Sequence, residues 1–218
     1  MVHYNIWVLE KKIILLYNVY YVKNRWLNMP NKLYRFVRFI GVPIFKLLYR
    51  PTIIGSENIP SSNRVVLAGN HTHNFDCALL ISSTKRIIHF LAKDELHHSK
   101  LGWFFKSMAT IPVNRRTKDK EALNSAIDVL NKDSVIGIFP EGTFSKDGNL
   151  LPFKFGAVVM AQRTNSAIVP FSITGKYRLF KKGITITFSK PYFVKGDLEK
   201  ENEILREKVI KLIKDCEK

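Results

Sequence analysis

Apolar and polar residues alternate along the chain in short blocks of two kinds. Mostly apolar runs, typical of buried strands, occur at residues 52–54, 64–69, 86–91, 109–113, 134–139, 167–173 and 184–189. Between them, apolar residues recur every three or four positions, which predicts helices at 75–82, 94–107, 118–131, 155–164 and 198–216. Strands that alternate with helices predict an α/β fold with a largely parallel central sheet flanked by helices.

A different pattern precedes the first predicted strand. Residues 31–49 combine aromatic and aliphatic side chains with basic residues at 32, 35, 38 and 46, which predicts an amphipathic helix kinked near Gly41 and Pro43. Such a helix suits the interface of an anionic membrane, and it also suits packing on the core of its own domain. One face can serve each contact. We therefore expect residues 29–50 to be an interfacial helical segment and 51–218 to be the α/β domain.

The apolar run at residues 13–22 is shorter than the roughly 20 residues that span a bilayer. A basic stretch, 23–26, follows it in place of the small-residue cleavage site of a signal peptide. Because Met29 begins a cleaner pattern, we expect residues 1–28 to be an extension upstream of the natural start.

The net charge of +17 lies far outside the range of an ordinary globular domain and calls for an anionic partner: nucleic acid, anionic lipid, or a phosphorylated or CoA-like substrate. We do not expect nucleic acid, because no binding motif is recognisable and the aromatic residues of the N-terminal helix cluster with aliphatic ones. Cys77 and Cys216 are far apart and form no disulfide or zinc pattern, which indicates a reducing compartment.

Two polar segments, 70–76 and 139–143, each follow a predicted strand, where open α/β sheets bind ligands. His71 is a candidate general base, and Asp76 is the carboxylate that would orient it. On one helix the two would lie about 140° apart, so they meet only if His71 ends the strand and Asp76 enters the next helix. No Ser or Cys stands at a nucleophile elbow, so a substrate hydroxyl is the expected nucleophile. The pattern favours direct acyl transfer to an alcohol.

An alternative interpretation treats His71, His73 and Asp76 as half of a metal site, which would make the protein a metal-dependent hydrolase. Further ligands would be needed, and the remaining histidines, 89, 97 and 98, stand in no familiar ligand motif.

Another strand end carries Arg115, whose guanidinium suits phosphate oxygens. Near a loop such as 141–143 it becomes a candidate phosphate clamp. Gly142 in that loop lets backbone approach a ligand closely, and Thr143 offers a hydroxyl.

Four blocks occur in order: Asn70-His71 with Asp76, then 111–115, 139–143 and 168–170. Their order and spacing resemble the glycerolipid acyltransferases, specifically the bacterial 1-acyl-glycerol-3-phosphate acyltransferases, over residues 30–200. A lone His-x4-Asp occurs by chance in many proteins, whereas four blocks in register are specific. The sequence departs from the family pattern at His73, where a small polar residue is frequent, and at Asn114, where Asp is common.

The resemblance implies that His71 is the general base on the acceptor hydroxyl and that Asp76 is its orienting partner. Backbone donors near Gly142 would stabilise the oxyanion, and residues 168–170 would border the acyl region. The resemblance also implies substrate-binding roles for Arg115, on the acceptor phosphate, and for Glu141, Gly142, Thr143, Lys93 and Lys154.

The expected reaction moves an acyl chain from acyl-CoA or acyl carrier protein to the sn-2 hydroxyl of lysophosphatidic acid, giving phosphatidic acid for phospholipid biosynthesis. Another lysolipid or glycerol 3-phosphate is the alternative acceptor. We expect no metal and no bound cofactor. The expected partners are an anionic membrane surface, the acceptor and the donor, at the cytoplasmic face of the cell membrane, with the enzyme peripheral or monotopic.

Overall fold

The structure is a computed structural model that describes residues 32–114, 119–144 and 149–216. Its helices are α1 (Lys32–Tyr49), α2 (Asp76–Ser83), α3 (Asp94–His98), α4 (Gly102–Ser107), α5 (Lys120–Leu130), α6 (Gly156–Thr164) and α7 (Leu198–Cys216). Its strands are β1 (Thr52–Ile54), β2 (Val65–Gly69), β3 (Ile88–Lys93), β4 (Thr110–Val113), β5 (Val135–Ile138), β6 (Ala167–Gly175), β7 (Ile184–Phe188) and β8 (Tyr192–Phe193).

The described strands form one sheet in the order β1-β7-β6-β2-β5-β3-β4, with β8 paired to the start of β6. The pairs from β6 through β2, β5 and β3 to β4 are parallel, and β7 runs antiparallel to β6. The predicted α/β class with a mostly parallel sheet flanked by helices is therefore confirmed. Because β2 and β5 are neighbours, with Ala68 beside Ile138, the two polar segments that follow them meet at one edge.

Apolar side chains fill a layer on each face of the sheet. On one face, β-strand residues pack with Leu79 and Leu80 of α2 and with Phe45 of α1. On the other face, residues from α5, α6 and α7, among them Ala126 and Leu205, close the second layer. The alternation of strands and helices in the sequence follows from this arrangement, because each crossover helix needs an apolar side for the sheet.

Most predicted elements lie within two residues of their observed bounds, but the single helix predicted at 94–107 is wrong. The chain leaves the helix at Ser99, which is extended, and α4 begins at Gly102. A Cβ on Gly102 would lie 2.1 Å from the carbonyl oxygen of His97, so this tight turn requires glycine. The short strand β8 also escaped prediction, because two residues carry no periodic pattern.

Helix α1 runs continuously through Gly41 and Pro43. Its inner face packs on α2, with Tyr34 fully buried, and the Arg38 guanidinium donates hydrogen bonds to the carbonyl oxygens of Thr84 and Arg86. Its outer face exposes a stripe of large apolar residues at helical spacing: Phe36, Phe39, Ile40, Ile44 and Leu47, hereafter the α1 stripe. Across the described residues, no helix is both long enough and apolar enough to cross a membrane.

Candidate active site

The site is built where β2 gives way to α2. His71 lies two residues beyond the last residue of β2, and Asp76 is the first residue of α2. The intervening turn is closed by a hydrogen bond from the Asp76 N–H to the His73 carbonyl oxygen. It brings His71 Nδ1 to 2.9 Å from Asp76 Oδ2, so the two side chains meet in the way the sequence required.

Asp76 is completely buried and densely hydrogen-bonded. Its Oδ2 accepts from the N–H groups of Thr72, at 2.6 Å, and of His73, at 2.8 Å, as well as from His71. Burial alone would raise the pKa of Asp76, but the hydrogen bonds from His71, from the Tyr177 hydroxyl and from the turn hold that pKa below its ordinary value. Asp76 is therefore an anion that can stabilise a positively charged His71.

Tyr177 completes this arrangement from the loop after β6, 101 residues along the chain from Asp76. Its hydroxyl donates to Asp76 Oδ1 at 2.7 Å. Burial and the Asp76 charge raise the pKa of Tyr177, which keeps the hydroxyl protonated and able to donate. Its ring lies 5.5 Å from that of Tyr49 in α1 and 5.8 Å from that of Phe75, between ring centroids. No motif in the sequence marked Tyr177, because only the fold brings it to the site.

Glu141 is 5% exposed, and both of its carboxylate oxygens are hydrogen-bonded to backbone. Oε1 accepts from the His71 N–H and Oε2 from the Leu151 N–H, each at 2.8 Å. Burial raises the pKa of Glu141, and the two hydrogen bonds partly oppose that effect. The predicted substrate contact of Glu141 stays a prediction. In the structure this carboxylate fixes the backbone of the candidate base.

Asn70 fixes the same backbone from the other side. Its amide donates to the carbonyl oxygen of Ile173 at 2.8 Å, and its side-chain oxygen accepts from the N–H of Ile173 at 2.7 Å. The Asn70 side chain thus forms one donor and one acceptor hydrogen bond with the Ile173 backbone, as a backbone residue of a neighbouring strand would. The backbone at Asn70 and His71 is therefore held in place, which limits the movement of the His71 ring.

The His71 ring stacks on the ring of Phe139, with centroids 3.9 Å apart and planes 11° apart, and lies 4.3 Å from the ring of Phe144. Only 12% of the His71 side chain is exposed. With Nδ1 turned to Asp76, Nε2 is the ring nitrogen left to meet a substrate proton. The candidate base thus lies against apolar side chains.

Gly142 adopts a φ of +72°, a conformation that favours glycine. A Cβ there would lie 2.9 Å from Nζ of Lys154, so the structure brings this glycine and this lysine together. The Gly142 N–H donates to the carbonyl oxygen of Phe139 at 3.0 Å. That N–H is engaged within its own turn, so the expected oxyanion donors would have to be neighbouring groups.

Of the remaining predicted residues, the structure describes Lys93, Thr143 and residues 168–170. Lys93 ends β3, two strands away from β2, and its side chain is exposed, as is that of Thr143. Residues 168–170 are buried within β6. Arg115 lies outside the described residues, one position after Asn114.

The metal alternative gains no ligand set from the described part of the chain. No three His, Cys, Asp or Glu residues there are grouped so that they could hold an ion. The ring of His73 instead packs against Phe75 and Tyr177, and its Nδ1 accepts the N–H of Phe75 at 3.2 Å.

An imidazole oriented by a buried carboxylate, at the edge of a parallel sheet, defines an α/β protein equipped for general-base chemistry. A model of the acyltransferase family matches residues 50–174, more than half of the chain. The chain therefore belongs to the acyltransferase family, and the resemblance found in its sequence is confirmed.

Proteins similar to this chain carry one activity in their names. The 1-acyl-sn-glycerol-3-phosphate acyltransferase of Borreliella burgdorferi is 32% identical over 178 residues, which cover 73% of this chain and 70% of the relative. The enzyme of the same name from Bacillus subtilis is 32% identical over 136 residues, covering 60% and 67%. A chloroplastic enzyme of that name from Arabidopsis thaliana is 33% identical over 139 residues, which are 62% of this chain but only 39% of the relative.

A solved structure shares the fold. The crystal structure of the 1-acyl-sn-glycerophosphate (LPA) acyltransferase PlsC from Thermotoga maritima aligns with a TM-score of 0.66 at 21% identity. The alignment covers 95% of this chain and 96% of that one. The architecture is therefore one already seen in a member of this group of enzymes.

Proposed function

We propose that the protein transfers an acyl chain from a thioester donor to the sn-2 hydroxyl of 1-acyl-sn-glycerol-3-phosphate and so forms phosphatidic acid. The observation that carries the proposal is the contact of His71 with the buried Asp76, in a chain that belongs to the acyltransferase family. Relatives about one-third identical carry this activity in their names. The donor is acyl-CoA or acyl carrier protein, and the alternative acceptors are another lysolipid and glycerol 3-phosphate.

In the proposed mechanism, Nε2 of His71 takes the proton of the acceptor hydroxyl while its oxygen attacks the thioester carbonyl. Asp76 stabilises the imidazolium through Nδ1. The tetrahedral intermediate then collapses, the carbon–sulfur bond breaks, and the departing thiolate takes the proton from His71. The protein's own groups thus account for each proton, and the reaction is proposed to need no metal or bound cofactor.

The proposed phosphate contacts come from basic residues around the site. Lys154 lies beside Gly142, and Lys93 lies at the same edge of the sheet. Arg115 keeps its predicted role as the clamp on the acceptor phosphate. Thr143, two residues after Glu141, keeps its predicted role in substrate binding. The net charge of +17 favours encounter with an anionic lipid and with a phosphate-bearing or acidic donor.

The α1 stripe supports a peripheral or monotopic position at the cytoplasmic face of an anionic membrane. Phe39 and Leu47 are 79% and 67% exposed, a costly arrangement in water for two large apolar side chains. Lys32, Arg35, Lys46 and Arg50 are exposed along the same helix and its end, where lipid phosphates would meet them. The inner face of α1 packs on α2. The outer face is therefore the side proposed to contact the membrane.

The test of the proposed function is thiol release from acyl-CoA, and separately from acyl carrier protein, with and without lysophosphatidic acid. Acceptor-dependent release is expected with at least one donor. Substituting the other lysolipids or glycerol 3-phosphate then ranks the acceptors. His71→Ala should reduce turnover by about 10²–10⁴, the usual worth of a general base.

The matched control is His98→Ala, which removes an exposed imidazole on α3 and should leave turnover unchanged. Circular dichroism and the melting temperature show whether each variant is folded. A folded His71→Ala enzyme with near-wild-type turnover would refute the mechanism, whereas no acceptor-dependent release by the wild type would refute the proposed reaction.

A further inference from the structure

The loop of residues 176–182, which joins β6 to β7, has an unusual composition. It reads Lys-Tyr-Arg-Leu-Phe-Lys-Lys, with four basic residues and no acidic one. A hydrogen bond of 2.7 Å from the Lys176 N–H to the Gly183 carbonyl oxygen closes its base. At its tip, Leu179 and Phe180 are 59% and 62% exposed. The tip thus presents two large apolar side chains, and the basic residues on either side of them in the sequence are all exposed: Lys176, Arg178, Lys181 and Lys182.

The loop is held in place from within. Tyr177 donates its hydroxyl to the buried Asp76, and the Phe180 N–H donates to the carbonyl oxygen of Leu48 near the end of α1. The ring of Tyr177 also packs against that of Tyr49 in the same helix. The exposure of Leu179 and Phe180 is therefore a feature of a fixed loop, attached at several points to the helix that carries the α1 stripe.

We propose that the 176–182 loop is a second membrane-contacting element, whose partner is an anionic lipid bilayer. Leu179 and Phe180 enter the interface beside Leu47, the last residue of the α1 stripe, and the four basic side chains meet lipid phosphates. The Phe180 N–H is bonded to the carbonyl oxygen of Leu48, the residue after Leu47, so the loop tip is anchored at the end of α1 where the α1 stripe finishes. This anchoring favours a bilayer over an acidic protein. An acidic protein surface would use the cations but would leave the exposed apolar side chains of the loop tip and of the α1 stripe unaccounted for.

This arrangement places the active site close to the lipid surface. Phe180 is three positions after Tyr177, so their Cα atoms lie no more than about 11 Å apart. Tyr177 contacts the carboxylate of the His71–Asp76 pair, and Phe180 contacts lipid. A lysolipid acceptor would therefore reach His71 with only part of its length drawn out of the bilayer.

The inference rests on the membrane association under the proposed function, and its test uses no acyl transfer, so the two can fail separately. The full chain is sedimented with vesicles of phosphatidylcholine alone and with vesicles rich in phosphatidylglycerol. Leu179→Ser with Phe180→Asn removes both apolar side chains, and Asn suits the positive φ of 58° at Phe180. We expect affinity for the anionic vesicles to fall at least tenfold.

A second double variant, Lys181→Gln with Lys182→Gln, should lower affinity for anionic vesicles about fivefold per charge and leave phosphatidylcholine binding unchanged. The control is Phe193→Ser, which is 50% exposed on β8. Phe193 pairs with Ala167 at the start of β6, about 26 Å along that strand from the loop. Its removal should leave vesicle binding as in the wild type.

A third variant, Phe180→Trp, covers the case in which the double variants do not fold. Its emission should shift to the blue, relative to the wild type, when anionic vesicles are added. Unchanged vesicle affinity of a folded Leu179→Ser, Phe180→Asn protein overturns the proposal, as does a Phe180→Trp emission that vesicles do not move. Normal vesicle binding with weakened binding of acyl carrier protein would also overturn it and would assign the loop to the donor.

Discussion

Tyr177→Phe isolates one hydrogen bond to the carboxylate of the candidate catalytic pair. The change removes the hydroxyl that donates to Asp76 Oδ1 at 2.7 Å and leaves a ring of nearly the same shape among Phe45, Tyr49 and Phe75. Asp76 keeps the N–H donors of Thr72 and His73, and it keeps its contact with His71. The fold is therefore expected to survive.

The size of the effect follows from the kind of bond. A hydrogen bond to a charged group contributes about 1.5–3 kcal/mol, and Asp76 is completely buried, so water cannot replace the lost donor. In a protein of this size, 1 kcal/mol corresponds to about 2–4 °C, so we expect the melting temperature to fall by about 3–12 °C. If all of the loss appeared in the transition state, kcat would fall by about 10–150-fold, which sets the upper limit.

The sign of the pH effect is also fixed. Because the Tyr177 hydroxyl helps to hold the pKa of Asp76 low, its removal lets that pKa rise. The stability that Asp76 contributes is present above the pKa of the unfolded state, about 3.9, and is lost as the pH falls through the folded pKa. The variant should therefore lose stability at a higher pH than the wild type during acid titration.

The assays are thermal melts from pH 3 to pH 8 and steady-state kinetics over the range in which the variant stays folded. Tyr49→Phe is the matched control, because it removes a phenolic hydroxyl from the same aromatic cluster and leaves the hydrogen bonds of Asp76 in place. An acid unfolding transition identical to that of the wild type would show that the contact with Asp76 has no energetic weight.

Two further predictions concern the ionisable side chains of Glu141 and His89. In Glu141→Gln, an amide NH2 would face one of the two backbone N–H groups that now donate to the carboxylate. The free energy of unfolding, measured by urea titration, should therefore fall by about 1–3 kcal/mol. The control Glu203→Gln changes an exposed side chain and should leave the free energy of unfolding unchanged. Burial lowers the pKa of His89, so its contribution to stability is complete above pH 6.5 or so and is lost as the pH falls through the folded pKa. In His89→Gln the loss of stability from pH 7 to pH 5 should be shallower; an equal slope in both proteins would contradict this account.

The sequence predicted the parts of the molecule that depend on neighbouring residues. Strand β2 and helix α2 have clear apolar patterns, and the five-residue interval from His71 to Asp76 admits a contact only across a strand-to-helix turn. The break between α3 and α4 was missed, because helical periodicity resumes after Gly102 and conceals the tight turn before it.

Long-range contacts account for the other omissions. Tyr177 lies far from Asp76 in the sequence, and only the pairing of β6 with β2 brings its loop to the site. Glu141 stood out as a candidate substrate ligand, yet its two backbone partners, His71 and Leu151, become visible only in three dimensions. A residue that positions backbone and a residue that contacts substrate look alike in a motif.

The packing of α1 bears on how this protein can be dissected and how it could have changed over time. Tyr34 and Phe45 of α1 are part of the buried interior, and Arg38 bonds to the turn before β3. A cut after Arg50 would therefore remove core along with the outer apolar surface. The surface must be altered residue by residue on its outer side. Natural variation faces the same constraint: Phe39 or Leu47 can change while the opposite side of the same helix stays fixed.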